Sequence, residues 1–267
     1  MSMNLRTLIN EPAAPDVMVH NLTLDTRALE PGDVFIALPG AEHDGRDFIE
    51  PALAAGAVAV LTESGRELNR DDERVISVAG LKGELGALAN RLYGSPSGDL
   101  KVVAATGTNG KTSVVDLTAQ MLRRMGRKTG TIGTLGMRLD QQPTETRNTT
   151  PDCLALHRQL RQWRDHGVEC VALEASSHAL DQGRLDGLAV DVGVFTNLSR
   201  DHLDYHHSMD AYCEAKLKLF REFEPARGIY NADGKAVIAH ADVWRSGALG
   251  VSVVSANAEI SIEVVQA

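Results

Sequence analysis

The sequence predicts an α/β protein of two domains, a small N-terminal α/β domain followed by a larger domain built on a parallel sheet. Short apolar runs of strand length alternate with helical stretches along most of the chain, which is the pattern of βαβ units. A cluster of breakers, Gly94-Ser95-Pro96-Ser97-Gly98, interrupts this alternation. With 267 residues, 43% of them hydrophobic, the chain can form about two domain cores. We therefore assign the domains to residues 1–97 and 98–267.

The N-terminal domain is predicted to form strands at residues 34–38 (VFIAL), 57–61 (AVAVL) and 74–78. A short helix is predicted at residues 47–56, where a glycine ends it. A longer helix is predicted at residues 81–93, because its leucines recur at helical spacing and form one apolar stripe.

The second domain is predicted to alternate regularly between strands and helices. Its strands are residues 100–105, 129–134, 170–173, 190–195 and 228–230, and its helices are residues 111–125, 151–166 and 209–223. Such alternation indicates a parallel sheet with helical crossovers. Residues 251–267 give two more strand-like pieces and no final helix, so we expect this domain to be incomplete.

Composition excludes several classes of partner. The formal net charge of −9 argues against nucleic acid or an anionic membrane as the main ligand. The first residues lack the apolar segment of a signal peptide, and the most apolar run is too short to span a bilayer. The three cysteines form no CxxC pair and are expected to be reduced. We therefore expect a cytoplasmic protein.

A glycine-containing turn joins the strand at residues 100–105 to the helix that opens with Lys111-Thr112. Glycines let the backbone N–H groups curl towards phosphate oxygens, and the helix start adds its positive end. Lys111 can reach the β- and γ-phosphates of ATP, and the Thr112 hydroxyl can bind Mg²⁺. The predicted nucleotide site comprises Gly107, Thr108, Asn109, Gly110, Lys111, Thr112 and Ser113.

This turn departs from the strict GxxxxGK[ST] pattern, because Ala105 stands where that pattern has its first glycine. The match is to the shorter form TGTNGKT. A glycine turn before an ordinary helix is the alternative. The order of strand, glycines, Lys-Thr and helix favours the phosphate site, and the second domain is predicted to be a P-loop-type ATPase domain.

Two polar residues follow strands of the same predicted sheet. Glu174 follows residues 170–173, where a carboxylate can hold the Mg²⁺ that bridges ATP phosphates. His202 lies in the polar loop after residues 190–195 and is a possible metal ligand. Taken alone, each residue favours the ordinary interpretation: Glu174 as a helix cap or surface residue, and His202 as a plain surface residue.

Lys216 lies on the apolar face of the helix at residues 209–223, together with Tyr212 and Leu219. A buried stem with its ammonium in water is one interpretation. The other is a desolvated amine with a lowered pKa, which reacts with CO₂ to give a carbamate that binds Mg²⁺. The sequence alone favours the first.

Together these residues resemble the Mur ligase family, specifically the type that acts on UDP-N-acetylmuramoyl-dipeptide (MurE type). The resemblance covers essentially the whole chain. Its motifs in the second domain are TGTNGKTS (106–113), NTTPD (148–152), EASSHALDQGR (174–184), FTNLSRDHLDYH (195–206) and Ala215-Lys216. The N-terminal domain adds LDTR (24–27), PGDVFIALPG (31–40) and DGR (44–46). The family usually has serine at the position of Thr26, which keeps the hydroxyl.

The resemblance implies a role for each site residue. The UDP part of the substrate would be bound by the first domain through Leu24, Thr26, Ala41, Glu42 and His43. The muramoyl-peptide would contact Asn148, Thr149, Thr150, Ser176, Gln182 and Arg184. One Mg²⁺ would be held by Thr112 and Glu174, and a second by His202 and carbamylated Lys216. Lys111, Lys216 and His202 would be the catalytic residues.

The implied activity is ATP-dependent amide formation in peptidoglycan precursor synthesis. ATP would phosphorylate the free carboxylate of UDP-N-acetylmuramoyl-L-alanyl-D-glutamate, and the amine of meso-diaminopimelate or L-lysine would displace the phosphate. The family's C-terminal domain, which carries the amino-acid pocket, has no counterpart among these residues. We therefore expect a chain without full ligase activity. We also expect it to be a monomer.

Two alternatives remain open at this stage. A folylpolyglutamate-type ligase would share the phosphate loop, but it would not need the UDP-binding motifs of the first domain. A non-catalytic nucleotide- or UDP-sugar-binding fragment would also fit the residues present.

Overall fold

A computed structural model describes residues 2–40, 43–64, 72–139, 142–144, 151–240, 243, 248–253 and 260–261. Its chain forms two compact units. One comprises Met1–Ser95 and Cys153–Arg158, and the other comprises Pro96–Asp152 and Gln159–Ala267. The break after Ser95 lies in the predicted breaker cluster. The return of residues 153–158 to the first unit was not anticipated from the sequence.

The first unit is built on four parallel strands. The strands of the unit are β1 (Met3–Asn4), β2 (Met18–Val19), β3 (Leu22–Thr23), β4 (Val34–Ala37), β5 (Ala59–Glu63) and β6 (Val75–Val78), and its helices are α1 (Leu5–Ile9), α2 (Ile49–Ala54) and α3 (Leu81–Tyr93). Strands β3-β4-β5-β6 pair in this order and all run parallel, whereas β1 and β2 form a separate antiparallel pair. Short 3-10 turns occupy Thr26–Ala28 and Gly45–Phe48.

The buried residues of the first unit account for its predicted strand β4 and its predicted helix α3. All four residues of β4 are buried, as expected for a strand covered on both faces. The leucines of α3 at positions 81, 85, 88 and 92 are buried together with Leu5 and Leu8 of α1. The helix predicted at residues 81–93 is therefore confirmed with its apolar stripe.

The helix predicted at residues 47–56 is wrong in its bounds. The chain first makes the 3-10 turn Gly45–Phe48, in which the Asp44 side chain accepts from Arg46 N, and α2 then begins at Ile49. This start places Pro51 in the first helical turn, where its missing N–H costs nothing. The strand predicted at residues 57–61 starts two residues later, at Ala59; before it, Ala57 N donates to Ala52 O of α2 and Val58 N donates to Asp33 O.

The second unit is built on a nine-stranded sheet. Its strands are β7 (Lys101–Thr106), β8 (Thr129–Gly133), β9 (Gly136–Leu139), β10 (Gln142–Thr144), β11 (Cys170–Glu174), β12 (Val192–Phe195), β13 (Arg227–Asn231), β14 (Leu249–Ser252) and β15 (Ile260–Ser261). Its helices are α4 (Lys111–Arg124), α5 (Cys153–Asp165), α6 (Ser177–Asp181), α7 (Leu203–His206), α8 (Met209–Arg221) and α9 (Lys235–Ile238), of which α5 begins in the first unit. A 3-10 turn occupies Pro96–Asp99.

The strand order of this sheet is β10-β9-β8-β11-β7-β12-β13-β14-β15. Seven strands are parallel, which confirms the predicted α/β class with parallel sheets. Strand β7 lies between β11 and β12. The strands β8 to β11 lie on one side of β7 and the strands β12 to β15 on the other, so the strand order reverses at β7. Such a reversal opens a crevice at the carboxyl ends of the strands, where open α/β sheets bind their ligands.

An antiparallel edge was missed by the sequence analysis. Strand β9 turns back on β8 through a tight hairpin, and β10 pairs antiparallel with β9. The turn includes Gly136, whose φ of 83° lies in the left-handed region that favours glycine. The sequence shows no Asn-Gly or Asp-Gly pair at this turn, which is why the usual hairpin signal is absent.

Cys153, Cys170 and Cys213 are free thiols, and all three are buried. Within the part of the chain that the structure describes, no helix is both long and apolar enough to cross a bilayer.

Candidate active site

The loop after β7 is shaped by two glycines. Gly107 has a φ of 140° and Gly110, which precedes α4, has a φ of 83°. A Cβ on Gly107 would lie 1.9 Å from Thr196 Oγ1, so no larger residue fits there. Ala105 is buried and still belongs to β7, and the turn begins only after Thr106. The absence of glycine at position 105 is thus explained, because an ordinary strand backbone does not require one.

The chain after β12 holds this loop from one side. Thr108 N donates to Asn197 O at 2.9 Å, and Asn109 N donates to Asn197 Oδ1 at 3.0 Å. In return, Thr196 Oγ1 donates to Asn109 O at 2.6 Å. The N–H groups of Thr108 and Asn109 are therefore occupied within the protein. This differs from the expectation that the whole loop would turn its amides towards phosphate.

The start of α4 offers the open amides instead. Val114 N makes the first helical bond, to Gly110 O at 2.9 Å. The N–H groups of Lys111, Thr112 and Ser113 precede that bond and have no acceptor among the described residues. Three amides at the positive end of a helix form a site for an anion such as phosphate.

Lys111 lies beside these amides. Its Nζ donates to Gly107 O and to Thr108 O, each at 2.9 Å. Burial lowers the pKa of Lys111, while the negative charges of Glu174 and Asp201 act in the opposite direction. The amine thus rests on carbonyl oxygens of its own loop, next to the open amides.

Glu174 and Thr112 are brought together. Glu174 is the last residue of β11 and is only 2% exposed. Thr112 Oγ1 donates to Glu174 Oε1 at 2.9 Å. Thr134 contributes its N–H to Oε1 at 2.8 Å and its hydroxyl to Oε2 at 3.1 Å. A Cβ on Gly133 would lie 2.3 Å from Glu174 Oε1, so this glycine makes room for the carboxylate.

The Thr112–Glu174 pair has the chemistry of a magnesium site. A hydroxyl and a carboxylate are hard oxygen ligands, and Mg²⁺ keeps most of its shell as water and phosphate oxygens. In the described part of the chain, no three His, Cys, Asp or Glu side chains are grouped so as to hold a metal. An ion at this pair therefore fits only if other oxygens complete its coordination, as phosphates do.

Lys216 is buried on α8, with 1% of its surface exposed. Its Nζ donates to Gly107 O at 2.9 Å and lies 4.2 Å from the centroid of the Tyr212 ring. Burial, with a smaller contribution from the Lys111 charge, lowers its pKa to about 7. The interpretation that places this ammonium in water is wrong, because burial of a lysine at such a position disfavours its charge.

His202 lies at the start of α7, with a left-handed φ of 50°. Its ring contacts that of His178, with 4.8 Å between centroids, and lies 6.0 Å from that of Tyr212. Among the described residues His202 makes no hydrogen bond to Glu174 or Lys216. The structure brings His202 and Lys216 to the same tyrosine but not into contact with each other.

The predicted peptide-binding residues that the structure describes flank α6, with Ser176 before it and Gln182 and Arg184 after it. Ser176 caps α6 by accepting from Ala179 N at 3.1 Å. Gln182 Oε1 accepts two bonds from the Arg184 guanidinium, at 2.9 and 2.5 Å. Gln182 also donates to Tyr205 Oη at 3.3 Å. The predicted contacts Asn148, Thr149 and Thr150 lie outside the described residues.

In the first unit, Leu24 is 36% exposed and Thr26 begins the 3-10 turn that Asp25 caps. His43 is exposed, and its carbonyl accepts from Gly40 N at 3.0 Å. The other two predicted residues of this loop, Ala41 and Glu42, lie outside the described residues. The assignment of these residues to UDP stays a prediction.

Four residues that touch the site were not predicted to belong to it: Thr134, Thr196, Asn197 and Tyr212. Thr196 and Asn197 directly follow β12, the neighbour of β7, so their place at a strand end was the available signal. Tyr212 precedes Lys216 by four residues and therefore shares its helix face. Thr134 lies in the unpredicted hairpin, and nothing in its sequence context indicated it.

Rings from α6, α7 and α8 meet beside the site. His178 contacts Tyr205 and His206, with centroids 4.3 and 5.4 Å apart, and His206 lies 5.3 Å from Tyr212. His206 is buried, and its Nε2 lies 3.0 Å from Ser177 Oγ. Burial lowers the pKa of both His178 and His206. The cluster thus favours the neutral form of His178 and His206 and packs α7 against α6 and α8.

Known families match both units of the chain. The description "Mur ligase middle domain" matches residues 105–266, and "Mur ligase family, catalytic domain" matches residues 18–93. The UDP-N-acetylmuramoyl-L-alanyl-D-glutamate–2,6-diaminopimelate ligase of Pseudomonas aeruginosa is 49% identical over 222 residues, which are 82% of this chain and 45% of that protein. The ligase of the same name from Xanthomonas oryzae is 45% identical over an alignment of 275 positions, which covers 99% of this chain and 54% of that protein. The chain spans about half the length of the curated relatives it matches.

Solved structures show the same likeness. A UDP-N-acetylmuramoyl-L-alanyl-D-glutamate–2,6-diaminopimelate ligase is similar with a TM-score of 0.81 and 32% identity, covering 98% of this chain and 54% of that one. The MurF ligase of Thermotoga maritima in complex with ADP has a TM-score of 0.62 at 21% identity, covering 89% and 51% of the two chains. The second likeness concerns the fold alone.

Proposed function

We propose that this chain, which belongs to the Mur ligase family, provides the ATP-binding and acid-binding part of an amide ligase of peptidoglycan precursor synthesis. Its acid substrate is UDP-N-acetylmuramoyl-L-alanyl-D-glutamate. The observation that carries the proposal is the open start of α4, with Lys111 and the Thr112–Glu174 pair beside it. A helix start, a cation and a magnesium pair at one strand edge suit a nucleotide triphosphate.

The proposed role of the loop is to bind the phosphates of ATP. The N–H groups of Lys111, Thr112 and Ser113 and the Lys111 ammonium would neutralise phosphate oxygens. Thr112 Oγ1 and the Glu174 carboxylate would hold Mg²⁺. When bound there, such an ion would supply positive charge to the phosphates.

The proposed reaction begins with attack of the free glutamate carboxylate on the γ-phosphorus, which forms an acyl phosphate and releases ADP. An amine then attacks the acyl carbon, forms the amide and releases phosphate and a proton. Both partners of the first step are anions. The chain's contribution is therefore to place cations, Lys111 foremost, where the two anions approach each other.

A second ion site is proposed at His202 and a carbamate on Lys216. Because the pKa of Lys216 is lowered to about 7, about half of its amine is neutral at neutral pH. The neutral nitrogen can attack CO₂, form an N–C bond and lose a proton, which leaves an anionic oxygen ligand. Burial against Tyr212 and the loop favours a single position for this group.

The remaining substrate roles also belong to the proposal. The first unit would bind the UDP portion through Leu24, Thr26 and the loop that ends at His43. Ser176, Gln182 and Arg184 would contact the peptide portion. Diaminopimelate is the proposed amino-acid substrate, because the relatives' names specify it. We further propose that the protein acts as a cytoplasmic monomer.

Calorimetric titration with Mg-ATP tests the nucleotide site. We expect Lys111→Ala to weaken binding by roughly 10- to 100-fold, because charge-assisted hydrogen bonds to phosphate are lost. Lys82→Ala is the matched control, since Lys82 also occupies the first turn of a helix, α3, in the first unit. Equal Mg-ATP affinity in the wild type and Lys111→Ala would contradict the proposal.

Titration with UDP-N-acetylmuramoyl-L-alanyl-D-glutamate tests the acid substrate. The proposal predicts saturable binding by the wild-type chain, weakened in Arg184→Ala. Binding of a folate in place of the nucleotide sugar would instead indicate a folylpolyglutamate-type ligase.

A further inference from the structure

Helix α8 touches the phosphate loop with two side chains that lie one helical turn apart. Lys216 Nζ donates to Gly107 O at 2.9 Å, and Tyr212 Oη lies 3.2 Å from Thr108 Oγ1. Residues four apart lie on one face of a helix. Successive loop residues are therefore held by successive turns of α8, and only the lysine has a role in the proposed reaction.

The hydroxyl of Thr108 is fully used in this arrangement. It donates to Ser199 O at 3.1 Å and accepts from Ser199 N at 3.0 Å. A hydroxyl has one proton and two lone pairs, so a single lone pair remains. Tyr212 Oη must donate to that lone pair. Thr108 thus contributes no side-chain donor to a ligand, although it lies within the nucleotide motif.

Tyr212 cannot easily move away from this bond. Its side chain is fully buried, and the Lys216 ammonium lies 4.2 Å from its ring centroid on one face. The rings of His206 and His202 lie 5.3 and 6.0 Å away. Water cannot replace a buried hydrogen bond once it is lost, so the position of the loop depends on the tyrosine hydroxyl.

We propose that Tyr212 is a positioning residue for the phosphate loop, and that its hydroxyl fixes Thr108 so that the amides at the start of α4 face the nucleotide. The inference rests on the proposed nucleotide-binding function. Tyr212→Phe keeps the ring, and with it the contact to Lys216, and removes only the bond to Thr108. Losing one buried hydrogen bond corresponds to roughly fivefold weaker Mg-ATP binding.

A purely structural role for the hydroxyl predicts a different result. Buried tyrosines usually find a partner for their hydroxyl, and removing it costs stability wherever the tyrosine lies. Tyr93 provides the matched control. It is 7% exposed, and its hydroxyl bonds the Asn21 side chain within the first unit. Tyr93→Phe should lower the unfolding temperature as Tyr212→Phe does, but leave the Mg-ATP affinity of the folded protein unchanged.

The experiment titrates Mg-ATP into the wild type and into Tyr212→Phe, Thr108→Val, Thr108→Ser and the Tyr212→Phe/Thr108→Val double variant. We expect roughly fivefold weaker binding for Tyr212→Phe and at least that for Thr108→Val. Thr108→Ser keeps the hydroxyl and should bind Mg-ATP more tightly than Thr108→Val. The double variant should bind no more weakly than Thr108→Val, because both changes remove the same bond.

Unchanged Mg-ATP affinity in Tyr212→Phe, or additive losses in the double variant, would overturn the inference while leaving the nucleotide site standing. If Tyr212→Phe does not fold, wild-type affinity in Thr108→Val has the same meaning. Failure of the wild type itself to bind Mg-ATP would overturn the proposed function, and this inference with it.

Discussion

Two helices of this protein begin in the same way, and their first amides meet different partners. Helix α3 follows Gly80 and helix α4 follows Gly110, with φ values of 68° and 83°. In each unit a neighbouring parallel strand ends in a glutamate, Glu63 in β5 and Glu174 in β11. The two units therefore present the same backbone plan and the same acidic residue type.

The two glutamates use their oxygens differently. Glu63 accepts from Gly80 N at 2.7 Å and from Lys82 N at 3.3 Å, so its carboxylate occupies the start of α3. Glu174 instead accepts from the side chain of Thr112 and from Thr134. The amides at the start of α4 are left for a ligand. The position of one carboxylate thus decides here whether the first amides of a helix are capped by the protein or open to an anion.

The largest expected loss of stability comes from a steric clash in the loop that leads to the open start of α4. Gly107→Ala places a Cβ 1.9 Å from Thr196 Oγ1 on a backbone with φ of 140°. We expect it to lower the free energy of unfolding in urea by about 3–4 kcal/mol. Gly126→Ala also has a positive φ, 79°, but no atom within 4 Å, and should cost only about 1 kcal/mol. Similar costs for the two variants would show that the close contact with Thr196 is unimportant.

The second prediction concerns the buried amine of Lys216, which donates to the loop before the open start. Between its folded pKa of about 7 and its ordinary value of 10.5, Lys216 is mostly neutral when folded but protonated when unfolded. The unfolded state then binds more protons, so the stability of the protein rises with pH across this window. Lys216→Met removes that dependence and should stabilise the chain by roughly 4 kcal/mol at pH 7, with the gain shrinking towards pH 10.5.

Chemical unfolding of both proteins in CO₂-free buffers across pH 7 to 10.5 measures this difference, since carbamate formation would otherwise compete with protonation. Lys218→Met is the control, because Lys218 lies on the same helix but pairs with Asp181 near the surface. A Lys216→Met difference that does not change with pH would refute the assignment of a desolvated amine.

The smallest expected effect on the free energy of unfolding comes from replacing each of the two glutamates with glutamine. Glu63→Gln should cost about 1 kcal/mol of unfolding free energy, because the start of α3 loses its negative charge, and should leave Mg-ATP binding unchanged. Glu174→Gln should change stability little but make ATP affinity nearly independent of Mg²⁺. Urea unfolding and ATP titrations with and without Mg²⁺ measure both. The reverse pattern would break the comparison between the two helix starts.

Local signals in the sequence were sufficient for much of the fold. The bounds of α3 are those predicted, since a leucine stripe and two flanking glycines define them. The 3-10 turn before α2 and the antiparallel strands β9 and β10 were missed. Their geometry depends on Asp44 capping and on pairing with β8, and neither leaves a periodic pattern in the sequence.

The sequence predicted which residues belong to the candidate site better than it predicted how these residues contact one another. The motifs indicated Gly107, Thr112, Glu174 and Lys216, because each stands at a strand end, at a helix start or on an apolar helix face. That Thr108 serves the scaffold was not predictable. Its partners, Ser199 and Tyr212, lie far along the chain and meet it only through the strand order β11-β7-β12.

The saturated hydroxyl of Thr108 has a consequence for variation among related chains. Valine or alanine at that position would leave the tyrosine on α8 with a buried proton and no acceptor, which is costly. Substitutions at the two positions should therefore be correlated across homologues. A chain that has lost the hydroxyl in its glycine motif should also lack tyrosine four residues before the lysine, even where its nucleotide chemistry is unaltered.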